Sequence, residues 1–285
     1  MAPTGRLRQL LDTDGIIVAP GVFDGLSAHL VRRAGFDVAY ASGGAIARSI
    51  GYPDLGLLGM KEVLSRLEQI VESAGIPVIA DADTGYGNAL SVWRTVREFQ
   101  NAGVAGLHIE DQSFPKRCGH LEGKELIATH EMVQKVRAAR EATTDKDFVI
   151  IARTDAIAVE GFERAIARAH AYADAGADML FVEAPESEAQ IRSIGQRLPQ
   201  MKVINMFQGG KTPLVPLARL REYGYRLVIV PSDLQRAVLR AMSDVLEAIR
   251  RDGNSAAIAD RLVEFHARDA VVEIDDYLER ERRFK

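Results

Sequence analysis

Short β-branched runs alternate with longer amphipathic segments along the whole chain, and this rhythm constrains the fold more than any other feature. Eight runs read as strands: Gly15 to Pro20, Asp37 to Ser42, Pro77 to Asp81, Gly106 to Glu110, Phe148 to Arg153, Met179 to Glu183, Lys202 to Met206 and Leu227 to Pro231. Between them, segments such as Lys61 to Ala74, Ala89 to Ala102, His130 to Glu141, Phe162 to Ala175 and Pro213 to Tyr223 repeat apolar residues every three or four positions, as a helix with one buried face requires. Strands and helices in strict alternation form a parallel sheet with helical cover. Eight such units in 285 residues predict an α/β protein, a closed TIM-type (β/α)8 barrel forming a single domain over 1–285. The phrases around Gly35, Gly103 and Gly176 each set a glycine just ahead of a strand, where a helix must end in a left-handed conformation. Helical patterning continues after Leu234 through Arg250, 256–267 and 270–283, more than one covering helix needs. Residues 235–285 therefore read as a C-terminal helical extension, suited to packing on another subunit or to capping the same barrel.

Composition matters here for what it excludes. A formal net charge of −4 leaves no basic footprint, so nucleic acid is not an expected partner. No apolar stretch reaches the roughly 18 residues a membrane span requires, and the start Met1 to Gln9 lacks the apolar core of a signal peptide. The single cysteine, Cys118, cannot form an internal disulfide, which agrees with a reducing, cytoplasmic setting.

In a parallel barrel the C-terminal ends of all strands meet at one mouth, however distant in sequence. Here those ends carry Ser42-Gly43-Gly44, Asp81-Ala82-Asp83, Glu110-Asp111, Arg153-Thr154-Asp155, Glu183 and Asn205. Asp81, Asp83 and Glu110 make an oxygen-rich set without nearby cysteine or histidine, which suits Mg²⁺, or Mn²⁺, better than zinc. For any one of them, capping the following helix is an equally ordinary use. Arg153 is placed to grip a substrate carboxylate with two parallel hydrogen bonds, or to pair with Glu183. Asn205 offers a second contact to a carboxylate, or to a neighbouring loop. The Ser42 to Gly44 backbone offers amides free of side-chain obstruction, a small anion nest. Gly85-Tyr86-Gly87-Asn88 lacks the lysine and glycine spacing of a nucleotide loop.

Lys116-Arg117-Cys118-Gly119-His120 lies in a long connection after the fourth strand, where two cations and a histidine around a thiol favour thiolate or ready proton exchange. At these residues the sequence resembles the isocitrate lyase and phosphoenolpyruvate mutase superfamily. The matching segments are Ser42 to Gly44 with Pro53 to Gly56, Asp81 to Asn88, His108 to Gln112, Lys116 to His120 and Ala152 to Ala156, in the family's order. Lys-Arg-Cys-Gly-His is characteristic of the lyase branches, whereas the phosphoenolpyruvate mutases carry other residues in place of Cys-Gly-His.

The resemblance implies Asp83 as direct metal ligand, with Asp81 and Glu110 holding metal-bound waters. It implies substrate contacts from Ser42, Gly43, Gly44, Asp81, Gly119, His120, Arg153, Glu183 and Asn205, and a homotetramer with helices exchanged between barrels. The expected reaction cleaves a 2-hydroxy acid: its hydroxyl loses a proton, the Cα–Cβ bond breaks, a 2-oxo acid leaves, and Cys118 protonates the carbanion. Lys116, Arg153 and His120 complete the expected catalytic set, and Tyr40, Asp54 or Arg153 are the candidates for the base. Residues 152–161 look like 2-methylisocitrate lyases, while 181–185 and 205–213 look more like 2,3-dimethylmalate lyases and oxaloacetate-cleaving hydrolases. A lyase releasing pyruvate leads. Oxaloacetate hydrolysis comes second, and a phosphonomutase, in which Asp54 takes part in phosphoryl transfer, third.

Overall fold

In the computed structural model, which describes residues 1–119 and 121–285, all eight strands form. They are β1 Ile17–Val22, β2 Ala39–Ala41, β3 Val78–Asp81, β4 Gly106–Glu110, β5 Val149–Thr154, β6 Met179–Val182, β7 Met201–Asn205 and β8 Tyr225–Val230. Each pairs in parallel with the next, and β1 pairs with β8, so the sheet closes. The helices are α1 Pro3–Leu11, α2 Gly25–Arg33, α3 Gly43–Ser49, α4 Met60–Ala74, α5 Ala89–Asn101, α6 Thr129–Ala142 and α7 Ile157–Glu160. They continue with α8 Phe162–Asp174, α9 Glu188–Arg197, α10 Leu217–Glu222, α11 Asp233–Asp252, α12 Phe265–Val271 and α13 Ile274–Arg283.

Strand periodicity divides the apolar residues into two cores. Ile79, Val149, Ile151, Met179, Phe181, Val203, Leu227 and Ile229 fill the barrel interior, where Leu7 and Leu11 of α1 join them. Their neighbours Val78, Ala80, Ile150, Leu180, Ile204 and Val228 pack outward against the helices. This alternation also aims the site. Ser42, Asp81, Arg153, Glu183 and Asn205 each lie two residues beyond an interior apolar residue, and Glu110 lies two beyond His108, which packs against interior Tyr40 and Phe181, so all six face inward at the C-terminal rim.

Most element boundaries shift from the sequence reading by one to a few residues, and two of the shifts have a plain cause. The first strand runs on through Pro20 to Val22; β1 lies beside β8 from Ile17 to Pro20 and beside β2 only from Gly21, so the proline sits where the strand has one partner rather than two. The second strand is only three residues long, because Ser42 caps α3 by accepting from the Ala45 amide and Gly43-Gly44 already belongs to that helix. The surplus C-terminal helices form as expected. α11 leaves Leu239, Met242 and Leu246 exposed, and Val263, Phe265 and Tyr277 are exposed beyond it. No helix among the described residues is long and apolar enough to cross a membrane.

Candidate active site

The rim opens onto a cavity of about 340 Å³, and Ser42, Gly44, Asp54, Asp81, Lys116, Cys118, Gly119, Arg153, Glu183 and Asn205 all line it. Of the other expected residues, Tyr40, Gly43, Asp83 and Glu110 lie behind this lining, and His120 falls outside the described residues. Arg48, Phe207 and Arg236 line it too; their positions outside the strand ends gave no cue to this in the sequence.

Arg153 is the best-anchored group. Its Nε and Nη2 donate to the two Asp155 oxygens at 2.9 and 3.0 Å, Nη1 lies 3.2 Å from Glu110 Oε2, and Nε lies 3.8 Å from Glu183 Oε2. The guanidinium also sits over the Phe181 ring, 5.2 Å from its centroid. Glu183 was the expected partner, yet the two-pronged one is Asp155, two residues on and therefore on the same side of the chain. Burial alone would favour loss of the Arg153 proton; Asp155, Glu110 and Glu183 outweigh it and hold the group cationic.

Asp83 follows β3 in a left-handed conformation, φ 47°, unusual for a residue with a Cβ. Two hydrogen bonds hold it there: its amide donates to Asp81 Oδ1 at 2.9 Å and its carbonyl accepts from the Glu110 amide at 2.9 Å. Its Oδ1 faces the Lys116 ammonium at 2.7 Å, and the same ammonium lies 2.5 Å from Asp54 Oδ1. Burial, with Asp81 and Asp54 adding negative charge, pushes Asp83 up to about 6 even though Lys116 opposes the rise. Burial works the same way on Asp81, but the charges of His108, Lys116 and Arg153 hold it at about 2. Glu110 is raised well above the glutamate range, chiefly by burial, and its Oε1 has no hydrogen-bond partner among the described residues. The donors are thus all carboxylate oxygens in a buried, electron-rich pocket, which fits a hard cation. No three His, Cys, Asp or Glu side chains among the described residues converge as one ligand set. The convergence of Asp81, Asp83 and Glu110 expected from the sequence is therefore not formed here, and only an ion that keeps several waters and takes few protein ligands would fit these residues.

Two expectations change on geometry. Tyr40 does not reach the cavity: its hydroxyl lies 2.8 Å from His108 Nε2 and 3.4 Å from Asp81 Oδ2, and burial first, then Asp81, pushes it well above the usual phenol range. A phenol so disposed keeps its proton and makes a poor base. The anions that meet Gly43 and Gly44 are the chain's own: a Cβ on Gly43 would lie 2.7 Å from Asp81 Oδ2, one on Gly44 2.6 Å from Asp54 Oδ2, and the Gly43 amide donates to Asp81 at 3.3 Å. Glycine is required there by close carboxylates. In the segment before the thiol, Lys116 pairs with Asp54 and Asp83, and Arg117 donates to the Glu122 carbonyl at 3.4 Å.

Sequence reasoning also assigned no role to Gln112. Its side chain accepts from the Arg117 amide at 2.9 Å and donates to the Arg117 carbonyl at 2.8 Å, which pins the segment carrying half-buried Cys118 at the rim. Asn205 donates to Glu183 Oε1 at 3.4 Å, while its own Oδ1 is buried without a hydrogen-bond partner among the described residues.

Comparison with known proteins bears on the family and the fold. A profile of the phosphoenolpyruvate phosphomutase family matches residues 7–250. The chain is 44% identical over 266 residues to 2,3-dimethylmalate lyase of Eubacterium barkeri, covering 93% of this chain and 92% of that one. It is 45% identical over 256 residues to 2-methylisocitrate lyase of Aeropyrum pernix, covering 90% and 82%. A crystal structure of a 2,3-dimethylmalate lyase superposes with a TM-score of 0.94 at 38% identity, over 99% of this chain and 95% of the other.

Proposed function

Since the chain belongs to the phosphoenolpyruvate mutase/isocitrate lyase superfamily of enzymes, we propose that it is a magnesium-dependent carbon–carbon lyase. Its substrate is a small 2-hydroxy di- or tricarboxylate of the 2,3-dimethylmalate or 2-methylisocitrate type, cleaved to pyruvate and a second carboxylate. The observation that carries this reading is the shared cavity: Cys118, Arg153 and Asp81 line one pocket, with Asp83 and Glu110 directly behind it.

Asp83 would hold the metal, with Asp81 and Glu110 nearby for its waters, and Mn²⁺ could replace Mg²⁺. When bound, the ion supplies Lewis-acid polarisation of the substrate oxygen that becomes the oxo group. Arg153, fixed by Asp155 and held cationic, binds a substrate carboxylate and stabilises its charge as the bond breaks. Ser42, Gly44 and Gly119 shape the wall around it. The unmet Asn205 Oδ1 suits a substrate donor. The hydroxyl proton passes to a base, for which Asp54 on the cavity wall is the remaining candidate. As Cα–Cβ parts, the electron pair stays on the departing carboxylate fragment, and the Cys118 thiol gives that carbon its proton. Lys116, raised well above its ordinary value by Asp83, Asp81, Glu110 and Asp54 against burial, stays an ammonium that restrains Asp54 and Asp83.

The exposed apolar residues of α11 and the terminal helices support assembly as a homotetramer, to be read from native mass spectrometry. The function is tested by incubating the protein and Mg²⁺ with each acid and reading products by NMR. Pyruvate with propionate or with succinate supports the lyase reading; oxalate with acetate from oxaloacetate as the sole turnover, or reaction only with phosphonopyruvate, defeats it.

A further inference from the structure

We infer that Lys124 is a positioning residue that ties the cysteine segment to the carboxylate clamp of Arg153; this rests on the lyase reading of the cavity. The Lys124 side chain is 1% exposed, although it belongs to a surface connection. Its ammonium donates to the Gly119 carbonyl and lies 3.2 Å from Asp155 Oδ1. Asp155, itself 0% exposed, grips Arg153 with both oxygens at the same time. One carboxylate therefore faces two cations, one fixed to the cavity wall and the other to the residue after the thiol.

The backbone around Lys124 accounts for its reach. Gln112 and Leu126 form an antiparallel bridge and the Ser113 amide donates to the Glu125 carbonyl at 2.8 Å, so the connection returns on itself just beyond Lys124. From that closed base the side chain extends back to the Gly119 carbonyl. Gly119 is held against the clamp from its other side too, because a Cβ there would fall 2.5 Å from Arg153 Nη2 and 2.7 Å from Glu183 Cγ. Asp155 thus sets the guanidinium, Lys124 sets the Gly119 carbonyl on Asp155, and Cys118 is carried one residue away. Displacing a reacting group by an ångström commonly costs about 100-fold in rate, so a buried ion pair one residue from the acid governs turnover without touching substrate.

The chain's single cysteine makes a direct reporter. In the full protein with Mg²⁺, Lys124→Met is expected to speed Cys118 alkylation by iodoacetamide, followed by mass spectrometry, by about tenfold or more. Lys124→Gln, which keeps a donor and loses the charge, falls between Met and wild type. With whichever acid the wild type cleaves, kcat should fall about 10- to 100-fold in Lys124→Met with KM within about threefold, because the carboxylate grip of Arg153 survives. Wild-type alkylation and kcat in a folded Lys124 variant would overturn the inference. So would failure of both variants to fold, which would make Lys124 a support of the barrel itself. If the wild type cleaves none of the acids, the lyase reading fails while the alkylation comparison still decides whether Lys124 positions the thiol.

Discussion

Glu110 and Asp111 are consecutive, both fully buried, and both raised above their ordinary range chiefly by burial, yet their surroundings are opposite. Glu110 faces the barrel interior beside Arg153 and keeps one oxygen without a hydrogen-bond partner among the described residues. Asp111 faces the helical layer, where it accepts from Thr154 and Tyr172 hydroxyls at 2.7 Å each, from the Asp155 amide at 3.0 Å and from Arg168 Nη1 at 3.4 Å. A buried carboxylate with both oxygens engaged is a structural fixture; one with an oxygen left unmet is poised for something the protein does not itself supply. A single step along a strand separates the two.

The sharpest test acts on the inner side. Cys118→Ser should leave the fold and metal affinity intact and lower kcat about 1,000-fold, within the range removal of a general acid gives. Turnover near wild type, with melting unchanged, would remove Cys118 from the acid role. Asp83→Ala should weaken Mg²⁺ binding at least tenfold by calorimetry, and an unaltered isotherm would take Asp83 out of the ligand set. It should cost little stability, since it removes a crowded buried carboxyl while Asp54 still pairs with Lys116; alanine keeps a Cβ, so the left-handed backbone is not relieved.

On the outer side the balance reverses. Asp111→Ala removes the acceptor for two hydroxyls, an amide and a guanidinium, and should cost about 3 to 5 kcal/mol by urea unfolding. Its Mg²⁺ affinity should stay within a few-fold of wild type. If Asp111→Ala instead lost metal binding while remaining as stable as wild type, the contrast between the two carboxylates would be reversed.

This contrast marks how far the sequence could be read. The barrel was legible because strand and helix periods repeat eight times, and a period-two count from Ile79, Ile151, Phe181 and Val203 directs Asp81, Arg153, Glu183 and Asn205 inward. What joins across the rim was not. Asp155 rather than Glu183 clamps Arg153, Tyr40 turns to His108, and Asp81 and Asp54 press on the Gly43-Gly44 backbone. Those outcomes depend on side-chain directions at ångström scale, which periodicity does not carry. Gln112 and Lys124 act through backbone atoms of a loop, whose path no pattern announced.

The smallest effect lies at the far end of the Asp111 network. Glu160 accepts from Arg168 Nε at 2.7 Å and Nη2 at 2.6 Å, and so steadies the cation whose Nη1 faces Asp111. The hydrogen bonds from Arg168 hold the Glu160 carboxyl below its ordinary value despite some burial. A carboxyl lowered on folding stabilises the protein above its unfolded value of 4.5, and the contribution disappears as pH falls through that value toward the folded one. Its side chain is 34% exposed, so solvent screening keeps the contribution to about 1 kcal/mol or less. Glu160→Gln should therefore lower the urea midpoint slightly at pH 7, with the gap to wild type narrowing as pH falls below 4.5. A gap that persisted at acid pH would mean that Glu160 acts through packing rather than charge, and that Asp111 keeps its guanidinium without help from outside.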